Sequence, residues 1–221
     1  PSEQFLKACQ FLSVRVFTET AAASFSIEII NLPLLDPVYP TEVTQGLNYE
    51  YYEWSKSLGL EFLPDLQTWI PLRTGVASGI DLTTEHIPDY FANRFSGYIE
   101  IPTDGYYTFY TSSDDGTKLY IGETLVVNND GLHGKQEESG MVGLKAGMHV
   151  IVVEFFEAEG AADLIVQYKG PSFPKSFIPV NVLWHNDYIK TTAKVDITPK
   201  DSKFSGMVKV KMSCATPNSK I

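Results

Sequence analysis

Hydrophobic and polar positions alternate with a period of two along most of the chain, and no segment of convincing length keeps the 3.6-residue period of a helix. In Ser13-Val-Arg-Val-Phe-Thr, Val14 and Val16 share one face, with Arg15 and Phe17 on the other. Ser24-Phe-Ser-Ile-Glu-Ile-Ile30 alternates cleanly. Leu47, Tyr49, Tyr51 and Glu53 share a face of a strand that runs to Trp54. Tyr90 to Ile101 alternates and stops at Pro102, where Pro102-Thr-Asp-Gly105 reads as a type I turn. Leu119 to Val127 reads as a hairpin with Gly122 first in a II′ turn. Leu144 onward turns at Ala146-Gly147 and continues as a long, nearly all-apolar strand to Phe156. Asp163 to Lys169 alternates and ends at Gly170-Pro171. Short strands at this spacing predict an all-β, antiparallel barrel or sandwich.

Proline marks the first boundary. Pro33, Pro37 and Pro40 fall within a short stretch, so residues 33–45 read as a stiff linker rather than a sheet interior. Residues 46–186 form the dense strand-and-turn region. Residues 1–32 and 187–221 carry further strands, among them Val195-Asp-Ile-Thr-Pro and Gly206-Met-Val-Lys-Val-Lys-Met212. Terminal pieces of about thirty residues cannot bury a core alone. They are expected either to pair into a small second sandwich or to belong to truncated neighbouring domains.

Composition narrows the partners. The chain has 221 residues, 43% of them hydrophobic, so a packed core is within reach. Tyrosine and phenylalanine are abundant, and both favour strands. A net charge of −10 repels nucleic acid and anionic membrane at long range and is compatible with neutral sugars and divalent cations. Cys9 and Cys214 lie near opposite ends; they are two free thiols or one long-range bridge, and neither a disulfide framework nor a zinc site. No apolar run is long enough for a membrane-spanning helix. The chain opens on Pro1 without a signal-peptide pattern, and it reads as an excised or processed fragment.

The chemistry concentrates in Ser112-Ser-Asp-Asp-Gly116. Adjacent strand side chains point to opposite faces, so Asp114 and Asp115 meet at one ion only if the backbone bends sharply, as through a cis peptide. The plainer reading is a polar turn. Asn128-Asn-Asp-Gly-Leu-His-Gly134 is a second polar cluster. It either offers Asn129, Asp130 and His133 to sugar hydroxyls or is a turn whose side chains bond their own backbone. His86, His133, His149 and His185 have no metal-ligand spacing. Trp54, Trp69 and Trp184 are candidates for stacking on a sugar ring, or else core and edge residues. A glycosidase needs two carboxyl groups roughly 5–10 Å apart, and converging neighbours are too close. No nucleophile elbow, phosphate-binding glycine loop or HExxH motif is present, so this chain is not expected to be a catalyst.

Residues 46–186 resemble the PA14 domain, a carbohydrate-binding β-barrel. The resemblance rests on Gly97-Tyr-Ile-Glu-Ile-Pro-x-x-Gly-Tyr-Tyr-Thr-Phe, Ser113-Asp-Asp-Gly-x-Lys-Leu-Tyr-Ile, Asn129-Asp-Gly-Leu-His-Gly134, Leu144-Lys-Ala-Gly-x-His149 and Val153-Glu-Phe-Phe-Glu157. It implies that Asp114 and Asp115 flank a cis peptide and hold calcium, which in turn binds sugar hydroxyls. Where sugar-binding members use a later asparagine, this chain has Glu157, with Glu159 close by. The implied metal ligands are therefore Asp114, Asp115 and Glu157.

The flanks, Val14-Arg-Val-Phe-Thr-Glu-Thr and Val208-Lys-Val-Lys-Met-Ser-Cys-Ala-Thr, resemble chitobiase-like domains that adjoin PA14 domains in bacterial β-N-acetylhexosaminidases. The resemblance implies a non-catalytic carbohydrate-binding module of a secreted, periplasmic or envelope-bound bacterial glycosidase, partnered by glycan and by its parent catalytic domain. The competing expectation is a structural domain that shapes the parent's active site without binding sugar. A cell-surface adhesin is a third.

Overall fold

The computed structural model describes residues 33–186 except 84 and 85, together with the backbone of four strands outside that range. Those four are β1 (Ser13–Glu19), β2 (Ala22–Glu28), β15 (Asp196–Thr198) and β16 (Lys211–Ser213). β1 and β2 form an antiparallel hairpin with Ser13 opposite Glu28. β15 and β16 pair antiparallel, with Asp196 opposite Ser213. The chain divides into two units, residues 1–186 and 187–221. The expected meeting of the termini and the state of Cys9 and Cys214 lie outside the described residues.

Within 33–186 the strands are β3 (Val43–Gln45), β4 (Leu47–Glu53), β5 (Arg73–Ala77), β6 (Phe91–Ile101), β7 (Gly105–Asp114), β8 (Thr117–Ile121) and β9 (Thr124–Asn129). They continue as β10 (Gln136–Leu144), β11 (Gly147–Glu157), β12 (Asp163–Gly170), β13 (Phe173–Phe177) and β14 (Leu183–Asn186). One sheet has the order β10-β7-β12-β13. The other runs β3-β14-β6-β11-β8-β9, with β4 also on β6 and β5 on β4. The fold is an antiparallel β-sandwich, as the alternation predicts. Helical structure among the described residues is confined to three short 3₁₀ turns, Lys56–Leu58, Leu66–Thr68 and Val180–Val182. No helix among them is long and apolar enough to cross a membrane.

The inward positions fill one core. Tyr51, Phe91, Phe95, Ile99, Tyr107, Phe109, Leu119 and Phe155 are all buried in it. Burying each such side chain stabilises the fold by roughly 1.5–3 kcal/mol. A smaller cluster outside the main core holds Tyr52, Leu63, Leu66, Phe156 and Ala158, with Trp54 and Trp69 packed against it. Tyr52 thus buries the face of β4 that strict alternation leaves to solvent.

Gly97 marks a change of partner on β6. Asn48 of β4 pairs at Ser96, and Trp184 of β14 pairs at Tyr98, on either side of it. A Cβ at Gly97 would overlap the Trp184 carbonyl and stand 2.7 Å from Leu47.

The proline-rich segment is docked. Leu35 N–H donates to Gly143 O at 2.8 Å, and Val38 N–H to Met148 O at 2.7 Å. Its last residues form β3, paired to β14.

Candidate functional site

One end of the sandwich gathers the chemistry. β7, β9 and β11 finish there, and β6, β8, β10 and β12 begin there: Asp114 faces Asp163, Ser113 faces Gln136, and Glu157 faces Phe91 across the ladders. The Asp114–Asp115 peptide is cis, as the resemblance implies. The next residue must be glycine for packing. A Cβ on Gly116 would overlap the buried Phe156 ring and stand 2.8 Å from Gly131 N. Phe156 N–H also donates to Gly116 O at 3.0 Å, which ties the aspartate turn to the end of β11.

The carboxylates are held by backbone amides. Asp115 is 5% exposed. Its Oδ1 accepts from His133 N–H at 2.9 Å, and its Oδ2 from Ala158 N–H at 3.0 Å. Each oxygen keeps a lone pair beyond that bond. The Asp115 N–H donates to Glu157 Oε2 at 3.1 Å. Glu157 is fully buried, yet its Oε1 has no hydrogen-bond partner among the described residues. Burial first, and then the charges of Asp115 and Asp114, push its carboxyl up to about 7. Asp114 is half-buried, and its carboxylate makes no hydrogen bond to a described residue.

This donor set fits calcium in kind. It is all oxygen and strongly negative, and one buried carboxylate oxygen is left without a partner. Among the described residues, no three acidic, histidine or cysteine side chains stand close enough together to hold a metal ion by themselves. Calcium takes about six to eight oxygens, so carbonyl, water or ligand oxygens would complete its shell.

The second polar cluster lies beside the first but bonds inward. Asn129 is buried; its Nδ2 donates to Ser113 Oγ at 3.0 Å and to Gln136 O at 3.2 Å, and its Oδ1 accepts from Gln136 Nε2 at 2.8 Å. Asp130 Oδ1 accepts from Leu63 N–H at 2.8 Å and Gly131 N–H at 3.0 Å, while Oδ2 pairs with Lys118 Nζ at 2.6 Å. The His133 ring nitrogens each lie 3.0 Å from a carbonyl oxygen, of Gly134 and of Asn129. The loop therefore serves the carboxylates through the His133 backbone, while all three side chains knit the loop to its surroundings.

Glu159 sits at the exposed rim, paired with Lys56 and accepting from the Tyr90 hydroxyl. Tyr90 adopts a left-handed φ of 61°. Its N–H donates to Ala158 O at 3.1 Å, anchoring the loop that caps Asp115. Trp54 packs 6.3 Å from Phe156 and 6.3 Å from Trp69, centroid to centroid. Trp184 lies elsewhere, its indole N–H donating to Glu100 Oε2 at 3.1 Å.

Sequence reasoning missed Gly116, Phe156 and the Ala158 amide. The small residue directly after paired aspartates was legible, but as turn composition rather than as a packing contact.

Comparison with known proteins identifies the fold. The PA14 domain family model matches residues 45–179. Anti-sigma-I factor RsgI3 of Acetivibrio thermocellus is 29% identical over 100 residues, covering 45% of this chain and 16% of that protein. An anti-sigma factor domain-containing protein of known structure superposes with a TM-score of 0.55 at 22% identity, over 77% of this chain and 60% of its own. A PA14 sugar-binding domain from an RTX adhesin gives 0.56 at 18%, over 64% and 99%. The A domain of epithelial adhesin 6 from Candida glabrata, solved with Galb1-3GlcNAc, gives 0.52 at 16%, over 68% and 91%. The chain thus spans a minor part of its curated relative and about three fifths of the anti-sigma factor structure.

Proposed function

Because the chain belongs to the PA14 domain family, we propose that it is a non-catalytic carbohydrate-recognition module whose site is the carboxylate cluster of Asp114, Asp115 and Glu157. The observation that carries this reading is the buried Glu157 carboxylate beside Asp114 and Asp115, with one oxygen on the Asp115 amide and the other without a partner among the described residues. Three carboxylates near one another at a loop end repel one another, and a cation relieves that repulsion. A bound calcium ion supplies a Lewis-acidic centre for sugar hydroxyls. Asp114, half-buried and without a hydrogen bond to a described residue, is the group best placed to meet an incoming ligand. Asp115 is oriented by the His133 and Ala158 amides, so the loops at 129–134 and 158–160 set its position.

The proposed setting is a bacterial protein of the cell envelope or exterior, where free calcium is high enough for a weak site. Within a longer chain the module would hold glycan beside a partner domain, raising local concentration without tight binding. The flanking resemblance suggests a glycosidase as that partner. The match to an anti-sigma factor suggests a regulatory protein instead, and among the relatives named here only this second setting has a counterpart. Glycan binding by the whole chain, measured with calcium and with chelator, tests the reading. Loss of binding in chelator and in Asp114→Asn supports it. Unchanged binding in both overturns it, and no binding under any condition favours the purely structural role.

A further inference from the structure

A second feature lies on the outer face of the larger sheet. A row of charges crosses four adjacent strands at one level. Glu50 on β4 faces Arg94 on β6, Arg94 faces Glu154 on β11, and Glu154 faces Lys118 on β8. Arg94 bridges its two glutamate neighbours, with Nη1 3.0 Å from Glu50 and Nε 3.3 Å from Glu154. The row then breaks: Lys118 pairs with Asp130, beyond β9, rather than with the glutamate opposite it. Glu154 is only 8% exposed, and burial raises its pKa despite Arg94.

The break opens into a cleft of about 600 Å³, within the range of small-ligand sites. Arg94, Lys118 and Glu154 line it on the sheet side, with Tyr120 and Val152 one step along the same strands. The segment Leu63–Asp65 closes one side, tied in place by the bond from Leu63 N–H to Asp130. An outer sheet face has become a half-enclosed site. It offers an acceptor on Glu154, cationic donors on either side, a half-buried phenol and short apolar walls.

We propose that this cleft is a saccharide subsite separate from the carboxylate cluster, taking neutral sugars without calcium. The hydroxyls of a pyranose alternate donor and acceptor along the ring. One can donate to Glu154 while its neighbour accepts from Lys118 or Arg94, and the C–H face can pack on Tyr120 and Val152. The cleft holds Asp65, Glu123 and Glu154 against Arg94 and Lys118 in a chain of net charge −10, so uronate and phosphorylated sugars are disfavoured.

The test is amide chemical-shift mapping of the whole ¹⁵N-labelled chain in EDTA. Methyl β-D-glucoside, methyl β-D-galactoside and glucuronate are titrated to tens of millimolar, where a weak site saturates. The expected result is saturable shifts around Tyr120 and Glu154 with at least one neutral glycoside. These shifts persist in Asp114→Asn. Glu154→Gln weakens them about tenfold, the loss of a charge-assisted hydrogen bond. Tyr120→Ala, at a half-buried outward position, gives the same loss and serves if Glu154→Gln fails to fold. Absence of saturable shifts there, shifts confined to Asp115 and Glu157, or tighter binding of glucuronate overturns the proposal. Since calcium is removed throughout, failure here is distinct from failure of the calcium-dependent reading.

Discussion

Glu157 Oε2 accepts the backbone N–H of Asp115 at 3.1 Å, while Oε1 of the same fully buried carboxylate has no partner among the described residues. Far apart in sequence, the two meet because β7 and β11, one in each sheet, finish at the same end of the sandwich, where Phe156 N–H donates to Gly116 O.

That relationship gives a pH dependence. The Glu157 carboxyl ordinarily titrates near 4.5, and in the fold it is pushed up to about 7. Between those values the folded state holds a proton that the unfolded state has released, so this group's contribution to stability declines as pH rises. The decline starts above the unfolded value and is complete above the folded one, amounting to about 3 kcal/mol. In calcium-free buffer, denaturant unfolding from pH 4 to 8 should show Glu157→Gln gaining stability relative to wild type as pH rises. A constant difference across that range would contradict the assignment. Glu154, also raised by burial, acts in the same direction and is common to both proteins.

Calcium should reverse the same penalty. At pH 8, calcium at about ten times its Kd should stabilise the wild-type chain by about 1.4 kcal/mol, seen as a higher Tm. Magnesium, which demands tighter octahedral geometry, should do less. Asp114→Asn should abolish the calcium shift while leaving the metal-free stability within about 0.5 kcal/mol of wild type, because Asp114 makes no hydrogen bond to a described residue. An unaltered calcium shift in that variant would remove Asp114 from the site.

Gly116→Ala should destabilise the domain by about 1–3 kcal/mol, because the added methyl overlaps Phe156 and crowds the Gly131 backbone. It should also weaken calcium binding, since the same contact sets the aspartate turn against β11. A neutral outcome in urea unfolding would show that the Phe156 ring yields freely.

Arg94→Met should cost about 3 kcal/mol. It leaves Glu50 and Glu154, mostly buried on either side of β6, without their shared cation. Pairing it with Glu154→Gln should recover part of the loss, and a double-mutant cycle measures how much.

The fold was legible because period-two alternation survives in β6, β8 and β12, β11 stands out as a long apolar run, and turns fall at Pro102, Gly122 and Gly147. β5, β10 and β13 were not. Gln136–Ser139 is exposed and polar along its length, and β13 carries a proline and a lysine at an edge. Such strands are held by their neighbours' hydrogen bonds rather than by their own pattern. The linker's docking was hidden for the same reason, since Leu35 and Val38 attach through backbone groups that carry no residue signature. At the candidate site, Asp114 and Asp115 stand out as adjacent carboxylates and Glu157 through the resemblance. The amides of His133 and Ala158 leave no mark in the residue types. The residue types of Asn129 and Asp130 suit either sugar hydroxyls or a self-bonded turn, and their partners Ser113, Gln136, Leu63 and Lys118 reveal the inward bonding.

The most direct measurement is a glycan array screened with the intact chain in calcium, in EDTA, and with Asp114→Asn in calcium. The account predicts at least one glycan whose signal appears in calcium and disappears in both other conditions. If every bound glycan keeps its signal in EDTA and in the variant, the carboxylate cluster is not a sugar site.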